Sequence, residues 1–144
     1  MSSDDFLRLD LQLCFSLYAA SRAMVQAYTP LLEELGLTYP QYLVMLVLWE
    51  TDGMTVKGLG EKLYLDSGTL TPLLKRLETL GLVRRERSTE DARSVRVSLT
   101  PRGRTMRRKA ECIPEAILRR TGLTLEELGK LREAIQRLFT KVSE

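Results

Sequence analysis

Cys14 and Cys112 carry the most reactive side chains of this sequence, which contains no histidine. The lack of histidine excludes Ser-His-Asp and Cys-His catalysis and also zinc binding through imidazole. The two cysteines are far apart and form no CxxC pair, which argues against a disulfide framework and a zinc cluster. Cys14 therefore has two interpretations: a small apolar residue of a core, or a thiol that reacts with an oxidant.

The glycines of the chain do not form a nucleotide-binding motif. No GxxxxGK[ST] sequence occurs, and Gly58-Leu59-Gly60 lacks the third glycine and follows no predicted strand. Together with the missing histidine, this disfavours an ordinary hydrolase, kinase or dehydrogenase. We expect a protein that is not an enzyme and that requires no cofactor and no metal.

The element that must position Cys14 is a helix at the start of the chain. Residues 6–28 contain neither proline nor glycine and predict one helix. Its apolar and small residues at three- and four-residue steps share one face: Leu7, Leu11, Cys14, Tyr18, Ser21 and Val25. Residues 30–35 follow as a short apolar segment that ends at Gly36.

The middle of the chain predicts a pair of helices across a glycine-containing turn. Thr38 begins a buried helix with a capping box to Gln41, and Thr55 begins a brief helix. The next helix spans residues 69–81, and Gly81 ends it. These helices have the outline of a helix-turn-helix.

Two strand-like segments, residues 83–87 and 95–99, follow directly and predict a basic hairpin. The predicted fold class is therefore mainly α with a small β-hairpin wing. Further helices begin at Thr100 and Thr124, with a break at Pro114. We expect one domain over residues 1–144, consisting of a winged helix-turn-helix core (about 37–103) and dimerisation helices (about 6–35 and 104–144).

Charge is unevenly distributed, although the net charge is only +3. Residues 1–60 contain three basic and seven acidic side chains, whereas residues 84–109 contain ten basic and three acidic ones. A solvated surface could carry such a block, but its coincidence with the hairpin and the helix pair favours DNA binding. The expected DNA-binding residues are Ser67, Gly68, Thr69, Thr71, Lys75 and Arg76 at the second helix of the pair, and Asp91 and Arg93 at the wing.

The helices at the two ends of the chain have apolar stripes that so small a core cannot cover. We expect them to form a homodimer, whose two recognition helices would lie about 34 Å apart and require an inverted-repeat operator. No apolar segment approaches the roughly 20 residues that span a bilayer, and the N-terminus is unlike a signal peptide. A cytoplasmic protein without a membrane partner is expected.

Several of these segments resemble the organic-hydroperoxide-sensing OhrR repressors of the MarR family. The segments are LQLCFSLYAASR, LTYPQYLVMLVLWE, LDSGTLTPLLKRLETLGLVRRER and the DAR of the wing. The resemblance covers about residues 9–103 and weakens in the C-terminal helices. It implies a dimeric repressor in which organic hydroperoxides oxidise a cysteine of the first helix and thereby release DNA.

Within this resemblance, Cys14 matches the sensing cysteine and Arg93 the arginine at the wing tip. Tyr28 and Tyr39 match tyrosines that hydrogen-bond the reactive sulfur, and Tyr18 matches a further tyrosine of the pocket. Tyr28 lies 14 residues after Cys14, so one continuous helix separates them by roughly 21 Å. We therefore expect any contact between Tyr28 and Cys14 to cross the dimer.

Cys112 departs from the family pattern. The resemblance places a resolving cysteine near TGLTLEE, where this chain has Leu123. Cys112 is either a displaced resolving thiol or an inert interface cysteine. Two other functions remain open: a MarR-type repressor that a phenolic or carboxylate ligand releases without covalent chemistry, and a thiol peroxidase.

Overall fold

The computed structural model describes residues 2–91 and 93–144. Ala92, the middle residue of the DAR sequence of the wing, lies outside the described residues. The chain forms two compact units, Met1–Glu111 and Cys112–Glu144. Within the described residues, the arrangement confirms a mainly α fold with a small β-hairpin wing.

The first unit contains the winged helix and the helix that carries Cys14. Its elements are α1 (Ser3–Phe6), a 3-10 turn (Leu9–Leu11), α2 (Leu13–Glu33), α3 (Tyr39–Glu50), β1 (Met54–Thr55), α4 (Val56–Leu63), α5 (Ser67–Thr79), β2 (Val83–Arg87), β3 (Val95–Leu99) and α6 (Pro101–Ala110).

The prediction of one helix from Phe6 is wrong at its start, because α2 begins only at Leu13. The backbone at Gln12 is extended, with φ −85° and ψ 115°. Its side-chain amide donates to the carbonyl oxygens of Phe6 at 2.7 Å and Arg8 at 2.8 Å. These bonds hold the preceding residues in a separate turn, so Leu7 precedes the helix that carries Cys14.

The end of α2 also differs from the prediction, since residues 30–35 are not a separate segment and the helix continues through Pro30 to Glu33. Proline removes the N–H that would bond the carbonyl of residue Gln26. Both residues are exposed, so water can satisfy that carbonyl. One helix therefore connects Cys14 to Tyr28 without a break.

The predicted threonine caps are confirmed. Each threonine hydroxyl accepts the backbone N–H three residues later, and the caps are Thr38 on α3, Thr55 on α4 and Thr100 on α6. Helix α5 begins at Ser67 and is capped by Asp66, whose carboxylate accepts the Thr69 N–H at 2.7 Å. Gly81 follows α5 with φ 76°, a left-handed conformation that favours glycine.

The wing belongs to a three-stranded antiparallel sheet in the order β1-β3-β2. The predicted hairpin is confirmed, with Val83 opposite Leu99 and Arg87 opposite Val95. Strand β1 was not predicted, because two residues are too few to show alternation. The core of this unit includes Leu32, Val44, Met45, Leu48, Leu59, Leu70, Leu74, Leu77, Leu82, Val83 and Val97, each at most 1% exposed.

The second unit contains α7 (Ile113–Thr121) and α8 (Leu125–Val142). Pro114 is the second residue of α7, which agrees with the predicted break. Thr124 and Glu127 form the predicted capping box of α8. Leu131, Ile135 and Phe139 recur along α8 and are exposed by 51%, 42% and 42%. In the part of the chain that the structure describes, no helix has both the length and the apolar character to cross a bilayer.

Candidate functional site

Cys14 is the second residue of α2, and its side chain is exposed. Tyr18 follows one turn later on the same face. The guanidinium of Arg22, a further turn on, lies 5.4 Å from the centroid of the Tyr18 ring. This contact is a cation–π interaction, which brings a positive charge toward the face that carries the thiol.

Two phenols lie together where α2 packs against α3. The ring centroids of Tyr28 and Tyr39 are 4.8 Å apart, and both side chains are half-buried. Burial raises the pKa of both phenols, and the electrostatic effect of Tyr39 raises that of Tyr28 further. Both groups therefore remain protonated at pH values where a thiol ionises, and each can donate an O–H to an anion.

Within one chain, the structure does not bring Cys14 to these phenols. Because α2 is continuous from Leu13 to Glu33, Cys14 and Tyr28 are roughly 21 Å apart along its axis. The chain thus holds the parts of the expected redox site in two places, with Cys14 and Tyr18 near the start of α2 and Tyr28 and Tyr39 at its end.

Two aromatic residues behind the phenols were not recognised as site residues from the sequence. Tyr42 is 2% exposed, and its ring centroid lies 5.8 Å from that of Tyr28 and 6.4 Å from that of Tyr39. Trp49 lies 6.4 Å beyond Tyr42 and donates its indole N–H to the Gly103 carbonyl at 2.9 Å. The spacing of Tyr39 and Tyr42 on α3 is the signal that could have identified the cluster.

Cys112 is exposed and precedes the first residue of α7. It belongs to the second unit, whereas Cys14 belongs to the first.

The predicted DNA-binding residues of the helix-turn-helix lie on α5. Ser67, Gly68, Thr69, Lys75 and Arg76 are exposed. Thr71 is partly buried, and its hydroxyl donates to the Ser67 carbonyl at 2.7 Å. On the opposite face, Leu70, Leu74 and Leu77 are buried as expected, while Leu73 is partly exposed.

The cap of α5 changes the electrostatics of this end of the helix. Asp66 accepts the Thr69 N–H, and this bond is the main cause that lowers the pKa of its carboxyl. The carboxylate therefore occupies one of the amides that could bind a phosphate. The remaining amides and the hydroxyl groups of Ser67 and Thr69 stay exposed at this end of the helix.

The wing carries Arg93 at its exposed tip. The Asp91 carboxylate accepts the backbone N–H of Arg93 at 3.0 Å, and the Ser88 hydroxyl accepts the Asp91 N–H at 3.3 Å. These are the contacts of a turn cap, and they restrain the backbone at Arg93.

Three contacts hold the wing against the rest of the first unit. Glu78 of α5 accepts the backbone N–H and the guanidinium of Arg85 on β2, both at 3.2 Å. Arg96 of β3 donates to the Gly53 carbonyl at 2.7 Å, and the Asp52 carboxylate accepts the Leu99 N–H at 2.8 Å. The wing and α5 therefore present a single preformed surface.

A groove of about 660 Å³ lies between α4, α5 and the wing. Lys57, Tyr64, Ser67 and Arg93 contribute to its lining. Tyr64 is 73% exposed and adopts a left-handed backbone with φ 57°, which is uncommon for a residue other than glycine. Sequence reasoning did not single out Tyr64.

Comparisons with known proteins cover the helix that carries Cys14 and the winged helix. Residues 26–109 match the family described as transcriptional regulator SarA/Rot. The chain is 53% identical over 135 residues to the organic hydroperoxide resistance transcriptional regulator of Bacillus subtilis (strain 168), which covers 94% of this chain and 92% of that protein. The chain belongs to the MarR family of transcriptional regulators, in its OhrR branch.

The match to the OhrR branch spans the segment that contains Cys14, and the predicted resemblance is confirmed. Because 144 − 135 leaves nine residues outside the match, the match to the Bacillus protein includes Cys14. The SarA/Rot match begins at residue 26 and covers the winged helix without Cys14. Of these two comparisons, only the match to the Bacillus protein covers the segment with Cys14, whereas both cover the winged helix.

Solved structures of the Staphylococcus epidermidis regulator AbfR add a conformational comparison. Reduced AbfR bound to DNA is 39% identical, covers 99% of this OhrR-type chain and 100% of its own, and superposes with a TM-score of 0.80. Disulfide-formed AbfR has the same identity, covers 97% of this chain and 93% of its own, and gives 0.64. Over-oxidised AbfR bound to DNA gives 0.79, so the backbone described here is more similar to both DNA-bound forms than to the disulfide form.

Proposed function

We propose that this chain is a dimeric DNA-binding repressor that organic hydroperoxides oxidise at Cys14, after which it releases its operator. The observation that carries this proposal is the pair of half-buried phenols at one end of α2, in an OhrR-type chain whose thiol stands at the other end. Its place of action would be the cytoplasm, where DNA and thiol reductants are available.

A two-fold dimer would unite the two halves of the site. The start of the chain exposes many large apolar side chains, which an interface would cover; they include Phe6, Leu7, Leu9, Leu11, Leu13, Phe15 and Tyr18. If the two copies of α2 are antiparallel, each Cys14 lies near the Tyr28 and Tyr39 of the partner. Such a pairing makes the redox site a property of the interface.

The chemistry needs one thiol and one hydroperoxide. The Cys14 thiolate attacks the terminal peroxide oxygen, the O–O bond breaks, and the products are a sulfenate and an alcohol. Sulfur is oxidised and the peroxide is reduced, so no further reactant is required for this step. Phenol O–H groups would stabilise the thiolate before the reaction, because Tyr28 and Tyr39 remain protonated. The apolar surroundings would favour organic hydroperoxides over hydrogen peroxide.

Cys112 is the candidate that would resolve the sulfenic acid. The existence of a disulfide form of the relative AbfR and the exposure of the Cys112 thiol support this role. Peptide mapping of the oxidised protein should recover a Cys14–Cys112 disulfide. A mixed disulfide with a small thiol, unchanged in Cys112→Ser, would show instead that Cys112 does not take part.

DNA binding would use the surface that α5 and the wing form together. Ser67, Gly68 and Thr69 at the start of α5 would reach base edges in the major groove, with Lys75 and Arg76 further along. Arg93 would enter the adjacent minor groove. The two-fold dimer would place two such surfaces about 34 Å apart on an inverted repeat.

The test is a gel shift on an inverted-repeat operator, with and without one equivalent of cumene hydroperoxide. Wild type should release DNA on oxidation, whereas Cys14→Ser should bind equally in both conditions. Cys112→Ser is the matched control for loss of a thiol, since it should still form the Cys14 sulfenic acid. Release of Cys14→Ser by a phenolic or carboxylate ligand would establish the non-covalent mechanism instead, and catalytic turnover with a reductant would indicate a thiol peroxidase.

A further inference from the structure

A continuous column of aromatic rings leads away from the two phenols into the first unit. Tyr42 packs within 5.8 Å of Tyr28 and 6.4 Å of Tyr39, measured between ring centroids. On its other side it contacts Trp49 edge-on at 6.4 Å. Tyr42 is 2% exposed, so its ring is packed inside the protein and in contact with both phenols.

The column ends at a hydrogen bond to α6, next to the residues that connect α5 to the wing. Trp49 donates its indole N–H to the Gly103 carbonyl at 2.9 Å. Gly103 lies directly against the Leu82 carbonyl, so closely that even a methyl group at Gly103 would overlap that oxygen. Leu82 and its neighbour Gly81 connect α5 to β2, and we call these two residues the joint.

The joint is held to the start of α6 by two more bonds. The Thr100 N–H donates to the Leu82 carbonyl at 3.0 Å, and the Thr100 hydroxyl donates to the Gly81 carbonyl at 2.6 Å. Gly103 and the joint are therefore one rigid connection. A displacement of Trp49 would therefore move Gly103 and the joint, and so change the angle at which the wing leaves α5.

We propose that Trp49 is a positioning residue that couples the phenol pair to the joint and so transmits oxidation of the thiol to the DNA-binding surface. This inference rests on the proposed function. When a hydroperoxide oxidises the thiolate that binds Tyr28 and Tyr39, the added oxygen moves the hydrogen-bond acceptor away from the position of the sulfur, and the two phenols shift to follow it. Tyr42 moves with them because its buried ring packs against both. The indole then leaves the Gly103 carbonyl, and the joint loses one of its directional restraints.

The first test compares wild type with Trp49→Phe, which keeps an aromatic ring and removes the indole donor. Operator affinity is measured by fluorescence anisotropy for the reduced protein and after one equivalent of cumene hydroperoxide. Trp49→Phe should form the Cys14 sulfenic acid at the wild-type rate, as measured by mass spectrometry. Its ratio of oxidised to reduced dissociation constants should fall by about fivefold, the effect of one hydrogen bond.

The matched control is Arg96→Gln, which removes another side-chain bond to a backbone carbonyl at the base of the wing. Loss of the Arg96 charge should weaken reduced and oxidised binding equally and leave their ratio unchanged. If Trp49→Phe keeps the wild-type ratio while wild type releases DNA, the coupling role is refuted and the proposed function stands. If wild type itself does not release DNA on oxidation, the proposed function is refuted, and the coupling role that rests on it is refuted as well.

A second measurement needs no variant, because Trp49 is the only tryptophan of the chain. The ¹⁵N–¹H spectrum of the wild-type protein contains a single indole resonance. Oxidation should shift this resonance upfield and accelerate its exchange with solvent by about tenfold or more, as expected for loss of a partly buried hydrogen bond. An indole resonance that is identical in the reduced and oxidised protein would overturn the proposal, even if Trp49→Phe fails to fold.

Discussion

Glu78, in the last turn of α5, accepts two hydrogen bonds from Arg85 on β2, one from the backbone N–H and one from the guanidinium. We expect Glu78→Gln to lower the free energy of unfolding by about 1 kcal/mol at neutral pH, because the pair is only partly screened by solvent. The matched control is Glu86→Gln, which removes the same charge from an exposed position on β2, the strand that carries Arg85. An equal loss in both variants would assign the effect to net charge.

The same pair predicts an acid dependence of stability. The Arg85 side chain, and then its backbone N–H, lower the pKa of Glu78. The folded state therefore favours the carboxylate, so this stabilisation is present above the ordinary glutamate pKa and is lost as pH falls through the lowered value. Urea unfolding at successive pH values should show the difference between wild type and Glu78→Gln narrowing in acid.

The phenol pair predicts the rate of oxidation. Tyr28→Phe and Tyr39→Phe each remove one O–H while they keep the ring that packs between α2 and α3. Each should slow oxidation of Cys14 by about tenfold, which corresponds to the loss of one charge-assisted hydrogen bond to the thiolate. Stopped-flow measurement of sulfenic acid formation tests this, with Tyr64→Phe as the control outside the cluster. Unchanged oxidation rates in both Tyr28→Phe and Tyr39→Phe would show that these phenols do not assist the oxidation of Cys14.

Alkaline titration tests the burial of these phenols. Burial favours the neutral form of Tyr28 and Tyr39 in the folded state and raises the pKa of each. Their contribution to stability is therefore complete below the ordinary tyrosine pKa of about 10 and is lost as pH rises through the raised values. The phenolate absorbance of the native protein should show a late phase that the Tyr28→Phe, Tyr39→Phe double variant lacks. A double variant that keeps the late phase would contradict this.

Two glycines should respond to alanine in opposite directions. In Gly103→Ala the new methyl group overlaps the Leu82 carbonyl, so we expect a loss of about 3 kcal/mol in the free energy of unfolding. Gly129 lies inside α8 and would place its methyl group no closer than 3.9 Å to the mobile end of Arg132. Gly129→Ala should stabilise the protein by about 0.5–1 kcal/mol through helix propensity. Chemical denaturation of both variants distinguishes these expectations.

Arg93 at the wing tip predicts a salt-dependent effect on DNA binding. Arg93→Ala should weaken operator binding by about tenfold and reduce the slope of log affinity against log salt by about two, because the dimer binds with two wings. Arg120→Ala removes the same charge from α7 in the second unit and should leave both quantities unchanged. Anisotropy titrations at several salt concentrations measure both effects. Equal slopes for wild type and Arg93→Ala would place Arg93 away from the phosphates.

The sequence predicted those parts of the fold that depend on local patterns. Thr38, Thr55 and Thr100 predict helix starts because each can accept the backbone N–H three residues later. The strand-like segments 83–87 and 95–99, with turn-forming residues between them, predict the hairpin. The start of α2 could not be predicted in this way. Residues 6–11 have helical periodicity, but the Gln12 side chain binds the carbonyls of Phe6 and Arg8 and stabilises a different local structure.

Contacts between segments that are distant in the chain could also not be predicted from the sequence. Tyr28 and Tyr39 were identified through the family resemblance, whereas the packing of Tyr42 behind them depends on how α2 and α3 cross. The hydrogen bond from Trp49 to Gly103 joins residues 54 positions apart. No periodicity encodes such a pair, because its geometry arises only when the sheet and α6 are in place.

The unbroken length of α2 has a genetic consequence. If each redox site combines Cys14 of one subunit with Tyr28 and Tyr39 of the other, a Cys14→Ser allele and a Tyr28→Phe, Tyr39→Phe allele are defective for different reasons. In the mixed dimer, the intact thiol of the second chain meets the intact phenols of the first. Co-expression of the two alleles should therefore restore peroxide sensing in one site of each heterodimer by intragenic complementation.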